Sequence, residues 1–135
     1  MFFTKNGFII LSAELSTLPK EENSRRTDEM RERLVRGGFT TPKLSFIEAN
    51  GVYKGVREKS FMVEVKNHYD FLWVTGLASS FSQESILMVD KRNQAALFYL
   101  KSKETEKLGT FHKIPKSVAD TLDAYTETEE GYYAC

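Results

Sequence analysis

Three short segments are apolar at successive positions: Ile9-Ile10-Leu11, Ile86-Leu87-Met88-Val89 and Leu97-Phe98-Tyr99-Leu100. Successive side chains of a strand point to opposite faces, so strands like these must bury both faces of their sheet. Helical patterns supply cover for one face only. Residues 23–36 read as a helix, with Asn23 as its N-cap, Met30 and Leu34 as a thin apolar stripe, and Gly37-Gly38 as its stop. Residues 67–83 read as a second helix, with Phe71, Val74, Leu77, Ala78 and Phe81 on its core side. No helix remains for the other face. The sequence therefore predicts a homo-oligomer whose subunits pack sheet to sheet.

The remaining elements follow from local pattern. Residues 8–13 are a buried strand, 39–49 are extended, and Asn50-Gly51 is a turn signal. Residues 60–66 alternate as a strand. Residues 86–90 and 95–101 form a hairpin, and 108–114 add an edge strand that stops at Pro115. The order β-α-β-β-α-β-β predicts an α+β fold, a ferredoxin-like β-α-β-β-α-β sandwich with an additional C-terminal hairpin strand. Residues 1–116 make up one domain. Residues 117–135 carry Asp120, Asp123, Glu127, Glu129 and Glu130 and read as an acidic C-terminal tail, partly helical or disordered.

Composition narrows the function classes. Lys and Arg total 19, and so do Asp and Glu, for zero net charge. A nucleic-acid binder carries a basic excess and a nucleic-acid mimic an acidic one, so no nucleic-acid partner is expected. The single cysteine, Cys135, allows no intramolecular disulfide, which suits a reducing cytoplasm. Two histidines, His68 and His112, are too few to anchor a metal site. No apolar run reaches the ~18 residues of a membrane span, and the N-terminal segment lacks a signal-peptide pattern.

Established catalytic motifs are absent. There is no G-x-G-x-x-G, no P-loop and no H-E-x-x-H. One segment, Asn50 to Phe61, combines a turn, Tyr53, and the carboxylate of Glu58 at the mouth of an apolar strand. By pattern alone it reads equally as a surface hairpin with solvated charges.

Phe8 to Ala13, followed by Glu21-x-Asn23-x-x-Arg26-x-x-x-Met30-x-x-x-Leu34, resembles the opening of the phage S-adenosylmethionine lyases, formerly called hydrolases. The likeness continues through Gly51-Val52-Tyr53, Glu58 to Val63, Ala78, Gln83 to Val89, Leu108 to Phe111 and Pro115-Lys116. The stretch between Tyr53 and Glu58 is shorter than the family pattern. This resemblance implies a trimeric enzyme with active sites between subunits. It implies cleavage of S-adenosylmethionine to 5′-methylthioadenosine and L-homoserine lactone, which depletes the cofactor of host restriction-modification in the host cytoplasm. No cofactor and no metal are implied.

Carried over by that resemblance, Glu58 is the catalytic carboxylate, orienting the substrate ammonium or, in a hydrolytic reading, activating water. Tyr53 packs on adenine, holds the substrate carboxylate, or is a plain turn tyrosine. Ser12 and Ala13 offer backbone groups to the ligand, or Ser12 is a buried hydroxyl. Gln83 contacts the nucleoside or caps a helix. Arg26 meets a carboxylate across a subunit boundary or is solvated. Glu64 reads as an interface or surface position, and Trp73 as interface core rather than an adenine platform. Two non-enzymatic alternatives stand beside this one: a stoichiometric inhibitor of a host defence complex, and a protein that sequesters an adenosine nucleotide.

Overall fold

The strands that the sequence leaves half-covered belong to one sheet that curls back on itself. The computed structural model describes residues 6–39, 41, 42 and 44–135. Among them the strands are β1 (Gly7–Leu11), β2 (Phe46–Tyr53), β3 (Val56–Val65), β4 (Ser85–Val89), β5 (Gln94–Tyr99), β6 (Thr105–Thr110), β7 (His112–Ile114), β8 (Ala124–Thr128) and β9 (Gly131–Ala134). The helices are α1 (Lys20–Arg36), α2 (His68–Ser80) and α3 (Lys116–Ala119). The protein is thus mixed α and β, with an antiparallel sheet in the order β6-β5-β4-β1-β3-β2-β8-β9-β7. The opposite edge strands β6 and β7 are separated in the chain by Phe111 alone. One residue cannot span an open sheet, since the chain covers at most ~3.6 Å per residue. The two edges therefore lie side by side, and the sheet is nearly a barrel.

Both main helices pack on the outer face. Met30 and Leu34 from α1, and Val74, Leu77 and Ala78 from α2, join Ile9, Leu11, Phe61, Val63 and Ile86 in one buried cluster. The inner face carries a second cluster of Phe8, Ile10, Ala49, Met62, Val89, Ala95, Phe111 and Tyr133. Phe111 stacks on Tyr133 and meets Phe8 edge-on. This corrects the premise behind the sheet-to-sheet argument, because the chain supplies part of its own cover. It also corrects the tail over 117–135. β8 pairs with β2 and β9 with β7, so about half of that segment is strand. The short helix expected near its start is α3.

Three local expectations are corrected too. The turn is at Lys54-Gly55, not at Asn50-Gly51, which lie inside β2. Lys54 and Gly55 both have positive φ, 49° and 81°, as a two-residue primed turn between right-twisted strands requires. α1 begins earlier, after Pro19, so Asn23 is not its N-cap. The single edge strand over 108–114 is split between β6 and β7 on opposite edges. By contrast, Asn67 does cap α2, its side-chain oxygen accepting the Asp70 N–H at 3.0 Å.

No helix among the described residues is long and apolar enough to cross a membrane.

Candidate active site

β1 is short and β3 is long, and the site lies in the difference. The last β1–β3 pair is Leu11 with Phe61. β3 extends beyond it through Ser60 and Glu58 to Val56, and the β1 chain turns away into a loop. Cross-strand partners share a face. Tyr53 pairs with Val56, Gly51 with Glu58, Ala49 with Ser60, and Ile47 with Met62. Met62 and Ala49 belong to the inner cluster, so Tyr53 and Glu58 also face inward, diagonal to each other on the ladder. The shortened stretch between them is a tight hairpin that keeps both on one face.

These residues border an inner-face cavity of about 850 Å3, within the roughly 300–1,000 Å3 usual for small-molecule sites. Leu87, Leu97, Leu108, Phe111 and Tyr133 line its walls, and among the described residues Glu58 is its only acidic lining side chain. Glu58 is half-buried. Burial raises its carboxyl above the ordinary range, the Ser12 hydroxyl offsets this in part by donating to it, and the nearby Glu14 charge raises it further. Tyr53 is 61% exposed and stands at the rim, with the Lys54 ammonium over its ring. Two polar clefts, of about 710 and 630 Å3, hold neither Tyr53 nor Glu58.

The loop after β1 is fastened from several sides. The Glu14 N–H donates to the Ser12 Oγ at 3.0 Å, and the Lys59 N–H donates to the Glu14 carboxylate at 2.6 Å. Gln83 Nε2 donates to the Glu14 carbonyl at 3.1 Å. Asn23 brackets Leu15, accepting its N–H and donating to its carbonyl, each at 2.9 Å. Arg26 donates to the carbonyls of Ala13 and Phe81, and its guanidinium lies over the Phe81 ring. Ser12 thus reaches the catalytic candidate directly, whereas Gln83, Arg26 and Asn23 hold the loop that carries Ser12. Ala13 is fully buried. Glu64 accepts from Asn6, and Trp73 packs against the outer-face core.

Glu14 was missed because one carboxylate in a loop carries no motif. Thr126 and Tyr133, which complete the inner face, were missed because they lie in the presumed tail. Among the described residues no group of three His, Cys, Asp or Glu side chains converges as a metal site.

A search of curated proteins finds no match. A model of the S-adenosylmethionine lyase family matches residues 9–135, almost the whole chain and both strands of the presumed tail.

Proposed function

The chain belongs to the S-adenosylmethionine lyase family, and from that premise we propose that it cleaves S-adenosylmethionine in the inner-face cavity, releasing 5′-methylthioadenosine and L-homoserine lactone. The observation that supports this reading most directly is a half-buried carboxylate, Glu58, in a cavity whose walls are mainly apolar. The ionised carboxylate pairs with the substrate ammonium by a charge-assisted hydrogen bond and holds the amino-acid arm folded. The substrate's own carboxylate oxygen then attacks the γ-carbon. The carbon–sulfur bond breaks, and its electron pair leaves on sulfur as a neutral thioether. A five-membered lactone closes, and the ammonium keeps its protons.

Two features favour this step. Holding carboxylate and γ-carbon in near-attack geometry supplies up to ~7–11 kcal/mol in favourable intramolecular cases. The attacking carboxylate and the sulfonium also cancel each other's charge, which a site of low dielectric favours over water. Water held away from the γ-carbon also disfavours hydrolysis. The leaving group is part of the substrate, so the step calls on no protein nucleophile and no cofactor.

Ser12 orients Glu58, and Tyr53 closes the rim over the adenine or the substrate carboxylate. A trimer with sites at subunit boundaries is part of the proposal. Support comes from Tyr53, Val56 and Leu108, which are exposed and apolar where they edge the cavity. The order β4-β1-β3-β2 within the sheet supports a ferredoxin-like core. Depletion of the restriction-modification cofactor in a host cytoplasm rests on the family resemblance.

The test is incubation of catalytic protein with S-adenosylmethionine and chromatography at early times. Methylthioadenosine and lactone should appear together. Homoserine as the first product overturns the intramolecular route. Stoichiometric binding without consumption favours a sequestering protein.

A further inference from the structure

Among the described residues, nothing gives Gly51 a structural reason to be glycine. It lies inside β2, between Glu58 on β3 and Thr126 on β8 in direct register. Its backbone is not left-handed, so conformation does not demand a missing Cβ. Nor does packing, since a Cβ placed there meets Ser60 Oγ at 3.5 Å and the Glu58 carbonyl at 3.9 Å, ordinary contact distances. Glycine weakens a strand interior and commonly marks a close approach by something else. Here it leaves a bare floor in the inner-face row Tyr133, Thr126, Gly51, Glu58. The gap from Glu58 to Thr126 spans two strand spacings, about 10 Å.

We infer that Gly51 is a specificity-determining residue whose missing side chain seats the amino-acid arm of the substrate, between the Glu58 carboxylate and the Thr126 hydroxyl. The inference rests on the proposed cleavage reaction and names which part of the substrate lies where. The arm belongs beside Glu58 because its ammonium is the cation that the carboxylate pairs with. The nucleoside belongs against the apolar walls formed by Leu87, Leu97 and Phe111. A side chain at position 51 would push the arm away from Glu58 and leave the nucleoside's place open.

The experiment compares the wild-type chain with Gly51→Ala and Gly51→Val. It measures kcat and KM for S-adenosylmethionine, calorimetric affinity for methylthioadenosine, which lacks the arm, and the thermal midpoint. Gly51→Val should raise KM by about tenfold or more, the scale of overfilling a fitted site, and Gly51→Ala by less. Methylthioadenosine affinity should be unchanged in both, and the midpoint should not fall, because either residue suits a strand better than glycine. An unchanged KM in the folded valine variant overturns the inference. So does an equal loss of methylthioadenosine affinity, which would place the nucleoside over Gly51. If the valine variant fails to fold, the alanine variant carries the test. Absent wild-type turnover would defeat the cleavage reading instead, and the ratio of S-adenosylmethionine binding affinities would still report on Gly51.

Discussion

The outer and inner faces of the sheet are made by the same strands and finished differently. On the outer face, Leu34, Met30, Val63, Val74 and Ala78 are fully buried beneath the two helices, and Val65, Met88 and Phe98 toward its edge are partly covered. On the inner face, Phe8, Met62 and Phe111 are buried, but Leu87 and Leu97 are only half-covered and border open space. Charge follows the same division. The outer-face Glu48 is held by Arg31 at 2.8 and 2.7 Å, whereas the inner-face Glu58 has no cationic partner among the described residues that act on it. The outer-face carboxylate is paired within the chain. The inner-face carboxylate borders a mainly apolar hollow.

The largest expected effect tests the packing side of this contrast. Leu34→Ala should cost about 2–5 kcal/mol of stability, the range for truncating a fully buried leucine. Leu97→Ala on the inner face should cost about 1 kcal/mol, because much of that side chain already faces the cavity. Denaturant unfolding of both variants checks this. Equal losses would show the inner face to be as tightly filled as the outer, and the contrast would fail.

Next comes the charge side. Glu58→Gln keeps the shape of the side chain and removes the proposed partner of the substrate ammonium. It should slow methylthioadenosine release by about a hundredfold or more, within the range for truncating one member of a desolvated charge pair. The fold should be intact by circular dichroism. Near-normal turnover would remove Glu58 from the site.

Much of the outer face was legible in the sequence, and much of the inner face was not. The stripes Met30–Leu34 and Val74–Leu77–Ala78–Phe81 are local patterns, and the helices that carry them form within three residues of the expected bounds. The inner face depends on pairing between distant segments, which no local period encodes. Tyr125-Thr126-Glu127 reads as polar tail until β2 lies beside it and turns Thr126 inward. Asn50-Gly51 is a strong turn dipeptide, yet Lys54-Gly55 takes the turn, and the β3 and β8 ladders hold Gly51 extended. Glu58 and Tyr53 were singled out by resemblance alone. Their shared face became visible only with the hairpin register.

The faces should also differ in how pH acts through them. Burial keeps the Glu58 proton on to a higher pH in the folded chain than in the unfolded one. As pH rises from the ordinary carboxylate range through the raised pKa, folding therefore loses stability at this site, while activity gains the ionised carboxylate. Glu48 behaves in the opposite way. The Arg31 hydrogen bond lowers its pKa, so its contribution is present above the ordinary range and is lost as pH falls through the lowered value. The acid limb of kcat/KM should accordingly lie above the ordinary carboxylate range. In Glu58→Gln the stability loss on raising pH through that window should disappear, as followed by thermal unfolding across pH.

The smallest effect belongs to the outer-face ion pair itself. Arg31 donates two hydrogen bonds to Glu48 and one to Asp28 at 2.8 Å, and its guanidinium lies over the Phe61 ring. The geometry is good, but both side chains remain substantially open to water, 35% for Arg31 and 45% for Glu48, and solvent screens such a pair. A double-mutant cycle with Arg31→Met and Glu48→Gln should give a coupling below about 1 kcal/mol that shrinks with added salt. Turnover should be unchanged in both variants, because this pair faces away from the cavity. A large fall in kcat in either one would mean that the outer face steers the inner, by way of Phe61, whose β3 neighbours run on to Glu58. That coupling would replace two separable faces with a single strand reporting to both.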